Sequence, residues 1–267
     1  MIHTNEEMQQ IQKRFIDLEI KSFAREVIEF IDESPSAYHA VKNSSDILEE
    51  NGFQRLNPRE EWKLKKGGQY FVKQSNSAII AFTVGKDVDL SIGFKIFGSH
   101  TDSPCFRIKP NPEMITENII RLNTEVYGGP ILSTWFDRPL SIAGRVILRT
   151  NDPFFPRTVA IKFDEPLMTI PNLAIHQNRD VNNGVKIDRQ KDVLPVIGLM
   201  NEIFEKDNFL LNYIFDKINL KKEDVLDFDL YVYNTEKGCL LGANEEFISA
   251  PRIDNLVSVY AGLLGLV

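Results

Sequence analysis

The stretch GSHTDSPCFRIKP, residues 98–110, places a histidine two residues before an aspartate at the end of an apolar run, IGFKIF. On a strand, His100 and Asp102 point the same way, because side chains alternate with period two. A carboxylate so placed can hold one imidazole nitrogen and leave the other for a metal ion, fixing the tautomer and raising ligand basicity. A buried histidine bonded to a turn aspartate uses the same residues, so the tripeptide alone serves either purpose. Asp254, in SAPRIDN, precedes the apolar run LVSVYAGLLGLV, at a place where aspartates cap helices as readily as they hold ions. His176, in NLAIHQNRD, is either a surface histidine or a catalytic donor, and spacing does not choose. Glu245-Glu246 invites reading as a general-base pair, but neighbours on a strand face opposite ways. Glu245 is read as solvated and Glu246 stays open. His3 and His39 complete the four histidines and are expected to be non-catalytic.

Other chemistries are absent from the pattern. There is no G-x-S-x-G elbow, P-loop, H-E-x-x-H or C-x-x-C. Cys105 and Cys239 sit in apolar contexts and read as core residues. An esterase built on Ser99 or Ser103 with His100 is rejected, since neighbours on a strand do not align as nucleophile and base.

These residues need elements to position them. Ile20, Phe23, Val27, Ile28 and Ile31 recur at helical spacing. Ser34-Pro35-Ser36 breaks that helix, and Ser36 can cap a second one whose inner face carries Ala37, Ala40, Val41, Ile47 and Leu48. Asn51-Gly52 stops it. QYFVKQSNSAIIAFTVG reads as a hairpin turning at residues 75–77. A buried strand over residues 94–97 should then deliver His100. From about Arg107 to Asp188 helical periodicity gives way to short β-rich runs between Gly and Pro turns, the texture of a separate β module. Helical spacing returns over residues 196–218, a strand follows at 227–234, and the final apolar run reads as a buried helix or strand. Helices and strands in this order imply an α/β core with a β module inserted into it.

The chain of 267 residues carries a formal charge of −7, which argues against a nucleic-acid surface. No apolar stretch reaches membrane-spanning length. The N-terminus, MIHTNEEMQQIQKRF, lacks the apolar centre of a secretory signal, and two cysteines make no disulfide framework. A cytoplasmic protein is expected.

Taken together, these stretches resemble the aspartyl aminopeptidase (aminopeptidase I) family of dinuclear zinc exopeptidases. SPSAYHAV is similar to the family's N-terminal helix motif and GSHTDSPCFRIKP to its His-Thr-Asp-Ser-Pro segment. FDRPLSIAGRV and NLAIHQNR are similar to its inserted β module, and EFISAPRIDNL to its second ligand segment. The resemblance implies an α/β zinc-exopeptidase domain, here incomplete, with an inserted β-rich dimerisation domain. On that reading residues 1–106 and 233–267 belong to the catalytic domain and residues 107–232 to the dimerisation domain. It further implies His100 as a metal ligand, Asp254 as the carboxylate bridging two ions, and Asp102 as the group orienting His100. His176 would reach a neighbouring subunit's site and help stabilise the tetrahedral intermediate. Glu246 receives no catalytic role. The cofactor would be two zinc ions, with cobalt or manganese as alternatives. The reaction would be removal of N-terminal residues, acidic or neutral, from peptides by a hydroxide held between the ions. Dimers would build to dodecamers.

The resemblance also implies a departure. Family members continue past the position of Val267, where they supply a Glu-Glu pair, a further Asp and a last His ligand. The expectation is therefore a C-terminally truncated chain, inactive alone, or alternatively a non-catalytic relative serving as an oligomerisation or interaction module. The 267-residue polypeptide should bind zinc weakly and cleave no peptide. Tight stoichiometric zinc, or aminopeptidase turnover by the purified chain, would overturn that expectation.

Overall fold

A computed structural model describes residues 5–87, 93–200 and 209–267 of the chain. Its packing separates two units. One is built from residues 1–102 and 237–267, the other from residues 103–236.

The first unit begins with α1 (Asn5–Asp32) and α2 (Ala37–Glu50). Val27, Phe30 and Ile31 of α1 are buried, but Ile20 and Phe23 are exposed, so only the later part of the apolar stripe enters the core. The break falls at Ser34-Pro35, where proline pushes the preceding residue out of helical backbone. Ser36 is the N-cap residue in extended backbone, yet its side chain makes no capping bond. Its hydroxyl lies 2.8 Å from Nδ1 of buried His39 instead, giving that histidine a structural partner. The end of α2 is closed by Gly52, with φ +85. Its N–H donates to Glu49 and that of Phe53 to Leu48, the reverse turn that only glycine enters without strain.

Three strands follow: β1 (Gln54–Arg55), β2 (Gln69–Gln74) and β3 (Ala78–Thr83). β1 runs parallel to β2, and β2 pairs antiparallel with β3 from Gln69↔Thr83 to Gln74↔Ala78. Ser75 and Asn76 at the tip both take left-handed backbone. Residues 94–97 correct the sequence expectation. They form no strand, and Phe94 and Ile96 are 83% and 87% exposed. A strand exists only where a neighbour takes up its N–H and C=O groups, and among the described residues no segment pairs with this one.

The second unit holds β4 (Cys105–Thr116), β5 (Ile119–Tyr127), β6 (Leu140–Leu148), β7 (Arg157–Lys162), β8 (Val196–Leu199), α3 (Phe209–Lys217) and β9 (Val225–Asn234). The strands make one six-stranded sheet in the order β7-β6-β9-β4-β5-β8, with every pairing antiparallel. Residues 196–199 are thus a sheet edge, not the start of a helix, and the helical spacing is realised at α3. The rest of that expected helix, residues 201–208, lies outside the described residues. Alternation along the strands sends Phe106, Ile108, Leu140, Ile142, Leu230 and Val232 to one buried face, together with Leu210 and Ile214 of α3. The opposite face carries Arg107, whose Nε donates to Asp229 at 2.9 Å, and an edge-to-face Tyr127–Tyr231 ring pair.

The chain then returns to the first unit through β10 (Cys239–Leu241), β11 (Phe247–Ser249) and α4 (Ile253–Leu266). Cys239 is exposed and Cys105 half-buried, so neither is the core residue expected. Leu256, Val259, Tyr260 and Leu263 share one face of α4 and join Val27, Phe30, Ile31, Leu48 and Phe71 in a single core. Each such side chain contributes about 1.5–3 kcal/mol.

Gly144 shows how tightly the second unit's sheet is built. A Cβ there would lie 2.1 Å from the Asp229 carbonyl oxygen of β9, whereas one on Gly129 would meet nothing within 4 Å. Gly144→Ala is expected to cost about 1–3 kcal/mol or more, and Gly129→Ala less than about 0.5 kcal/mol. Urea unfolding of the two variants checks this.

Candidate functional site

Two segments of the first unit bring the candidate residues together. His100 and Asp102 lie in the irregular stretch after β3 rather than on a strand. A bend, not strand alternation, closes the pair: His100 Nδ1 stands 2.9 Å from the Asp102 carbonyl oxygen and 3.2 Å from Oδ1 of its carboxylate. Asp254 arrives from the start of α4, where Arg252 is left-handed and Asp254 and Asn255 are non-helical. The Asp254–Asn255 peptide bond is cis. The Asp254 side chain turns to the His100 segment. Its Oδ1 lies 3.1 Å from His100 Nε2, across 154 positions of sequence.

Both ring nitrogens therefore face oxygen acceptors. A neutral imidazole has one N–H and one lone pair, so it satisfies only one side. Protonation satisfies both, and so does a cation on the Nε2 side. The groups are open to water, with side-chain exposures of 51% for His100 and 89% for Asp254. Slight desolvation works against the imidazolium. The Asp102 carbonyl and carboxylate and the Asp254 carboxylate outweigh it and raise the His100 pKa above the ordinary imidazole value.

The donor chemistry suits zinc: an imidazole nitrogen whose tautomer is set from behind, and a carboxylate oxygen. The number of donors does not complete a catalytic site, which takes three protein ligands. Among the described residues no group of three or more His, Cys, Asp or Glu is placed to hold an ion.

The other candidates stand elsewhere. Glu245 is exposed and pairs with Arg25 at 3.4 Å and Lys21 at 3.5 Å. Glu246 accepts from the Asn244 side-chain amide and backbone N–H, bonds that hold its pKa below the usual carboxylate range. His176 belongs to the second unit, exposed in a turn closed by Gln177 N–H to the Ala174 carbonyl at 2.8 Å. His3 lies outside the described residues. Sequence reasoning passes over Arg252, whose guanidinium donates to the Ile31 carbonyl at the end of α1 at 3.1 Å. Its place beside Asp254 is visible, but its partner is a tertiary neighbour that spacing does not reveal.

A family profile described as aminopeptidase I zinc metalloprotease (M18) matches residues 30–267. The chain belongs to the M18 aminopeptidase family. It is 55% identical over 246 residues to a probable M18 family aminopeptidase 2 of Clostridium acetobutylicum, covering 92% of this chain and 57% of that protein. A cryo-EM structure of the Ape4 and Nbr1 complex superposes with a TM-score of 0.87 at 34% identity, over 94% of this chain and 52% of that one. The S. cerevesiae mApe1 dodecamer shares the fold, with a TM-score of 0.78 at 24% identity over 93% of this chain and 56% of that one. The chain thus spans little more than half the length of these M18 relatives.

The raised His100 pKa sets the sign of a pH effect in the metal-free M18 chain. Its stabilising contribution is complete below the ordinary imidazole pKa and disappears as pH rises through the raised one. NMR titration should find His100 above the ordinary value, with Asp254→Asn moving it down. An unshifted His100 would contradict the geometry.

Proposed function

We propose that this chain provides the first part of a metallo-aminopeptidase site, with His100 a ligand to one divalent ion and Asp254 the carboxylate shared by two. The observation that carries the reading is the 3.1 Å approach of His100 Nε2 to Asp254 Oδ1, two polar groups remote in sequence and both open to water. Membership of a zinc metalloprotease family supports zinc as the ion.

When bound, zinc polarises the scissile carbonyl and makes water nucleophilic near neutral pH. The chain's own residues prepare for it. Asp102 takes the Nδ1 side of His100, which leaves Nε2 to face the ion. Asp254 adds negative charge on that side. His176, presented on the exposed turn of the β-rich unit, donates to the developing oxyanion in a neighbouring subunit's site. Residues 107–232 serve as the dimerisation domain, and residues 1–106 and 233–267 as the catalytic domain. Dimers assemble further, a reading supported by the dodecameric state of mApe1. The substrates are peptides, cleaved after an acidic or neutral N-terminal residue, in the cytoplasm.

The remaining ligands and the general base lie in the share of the relatives' length that this chain does not cover. Alone, the chain is inactive.

Zinc titration and aminoacyl-substrate cleavage test the proposal on this chain and on the gene product extended to its natural stop codon. His100→Ala and Asp254→Ala should each weaken zinc binding by at least about tenfold, and Asp102→Ala by about 10–100-fold. Cleavage should appear only in the extended product. Zinc binding indifferent to His100 and Asp254 sinks the metal assignment. A natural stop codon at residue 267 with no activity favours the non-catalytic assembly module.

A further inference from the structure

Between His100 and Asp102 stands Thr101, and its side chain leaves the pair. The hydroxyl donates to the backbone carbonyl of Ser77 at 2.8 Å, 24 positions back in the sequence. Ser77 closes the loop between β2 and β3, where Gln74 pairs with Ala78. That loop is fixed from three directions. Six paired positions hold its strands. Ser75 and Asn76 are both left-handed, with φ of 53 and 58. The Ser77 N–H donates to the Gln74 carbonyl at 3.2 Å. The Ser77 carbonyl therefore points where the hairpin directs it, and a half-buried Thr101 meets it.

The rest of the segment before Thr101 is held differently, with the Phe97 ring lying against Gly262 of α4. Residues 93–100 join no strand, and the bonds of His100 run to Asp102, two residues away, and to the largely exposed Asp254. Threonine suits the role, since its branched Cβ restricts χ1 and limits the hydroxyl to few directions.

We propose that Thr101 is a positioning residue for the metal site, tethering the His100–Asp102 bend to the β2–β3 hairpin through the Ser77 carbonyl. It touches neither ion nor substrate. It holds the imidazole where Nε2 and the Asp254 carboxylate converge. The inference rests on the reading of His100 and Asp254 as ligands.

The test is zinc titration of Thr101→Val and Thr101→Ser in this chain, followed through the His100 imidazole resonances so that zinc elsewhere does not count. Losing one half-buried hydrogen bond of ordinary net strength should weaken zinc binding about three- to tenfold in T101V. T101S, which keeps the donor, should bind within about twofold of the parent. Amide exchange at residues 99–102 should quicken in T101V and not in T101S. Parent-like zinc binding by T101V overturns the proposal, as does equal loss in both variants, since T101S keeps the hydroxyl donor. Should T101V fail to fold, Thr101→Ala against T101S is read the same way. Asp254→Ala, followed through the same His100 resonances, separates the ligand reading from the tether. If it leaves zinc binding unchanged, the ligand reading fails; if it abolishes binding while T101V does not weaken it, only the tether fails.

Discussion

The approach of Asp254 to His100 is the constraint on which the first unit's arrangement turns. A carboxylate and an imidazole separated by 154 positions meet at 3.1 Å only if both ends of the unit are anchored independently. On one side, α4 is locked to α1 by apolar packing and by the Phe30–Tyr260 ring contact, with centroids 5.1 Å apart. Arg252 adds a bond to the Ile31 carbonyl, at a helix end where a cation is favoured. On the other side, the β2–β3 hairpin holds the His100 segment through Thr101. The meeting point inherits its precision from ordinary core packing several residues away.

How much of this the sequence discloses follows from the range of the forces involved. Periodicity located α1 and α2, and Gly52 marked the end of α2, because spacing and left-handed backbone are local properties. The hairpin was legible for the same reason, with Ser75 and Asn76 at its turn. Residues 94–97 were misread as a strand because apolar alternation reports a capacity for pairing, and pairing needs a neighbour. Residues 196–199 erred in the opposite direction: three apolar residues and a glycine fit either period, and the edge of β5 decided. Cys239 misled because local apolar context does not measure burial in a short two-stranded ribbon. The partners of Thr101 and Arg252 were invisible, since both are backbone carbonyls supplied by tertiary structure.

The second unit obeys a different logic. Its sheet commits one face to a core and leaves the other to polar side chains, the usual division in an antiparallel sheet. Asp229 sits between Arg107 and Arg145 on that second face, at 2.9 and 3.9 Å. Desolvation opposes the Arg107 charge, but Asp229 and its neighbours raise the pKa further, so the charge is permanent there. Gly144 allows β6 and β9 to approach with no side chain between them. This unit's order comes from cross-strand registration and the apolar core beneath it.

The first unit's site, by contrast, is organised around an unresolved demand. Nδ1 of His100 faces two oxygens of Asp102, and Nε2 faces a third on Asp254. Acceptors around both nitrogens ask for positive charge, from a proton or from a metal ion. Water tempers the demand, because Asp254 is largely exposed and its charge is screened at high dielectric. A site this open favours a cation without gripping it. Removing water from the same three groups would strengthen their attraction for an ion several-fold without moving an atom of His100, Asp102 or Asp254. The geometry resides in these residues, and the strength of binding is set by what shields them.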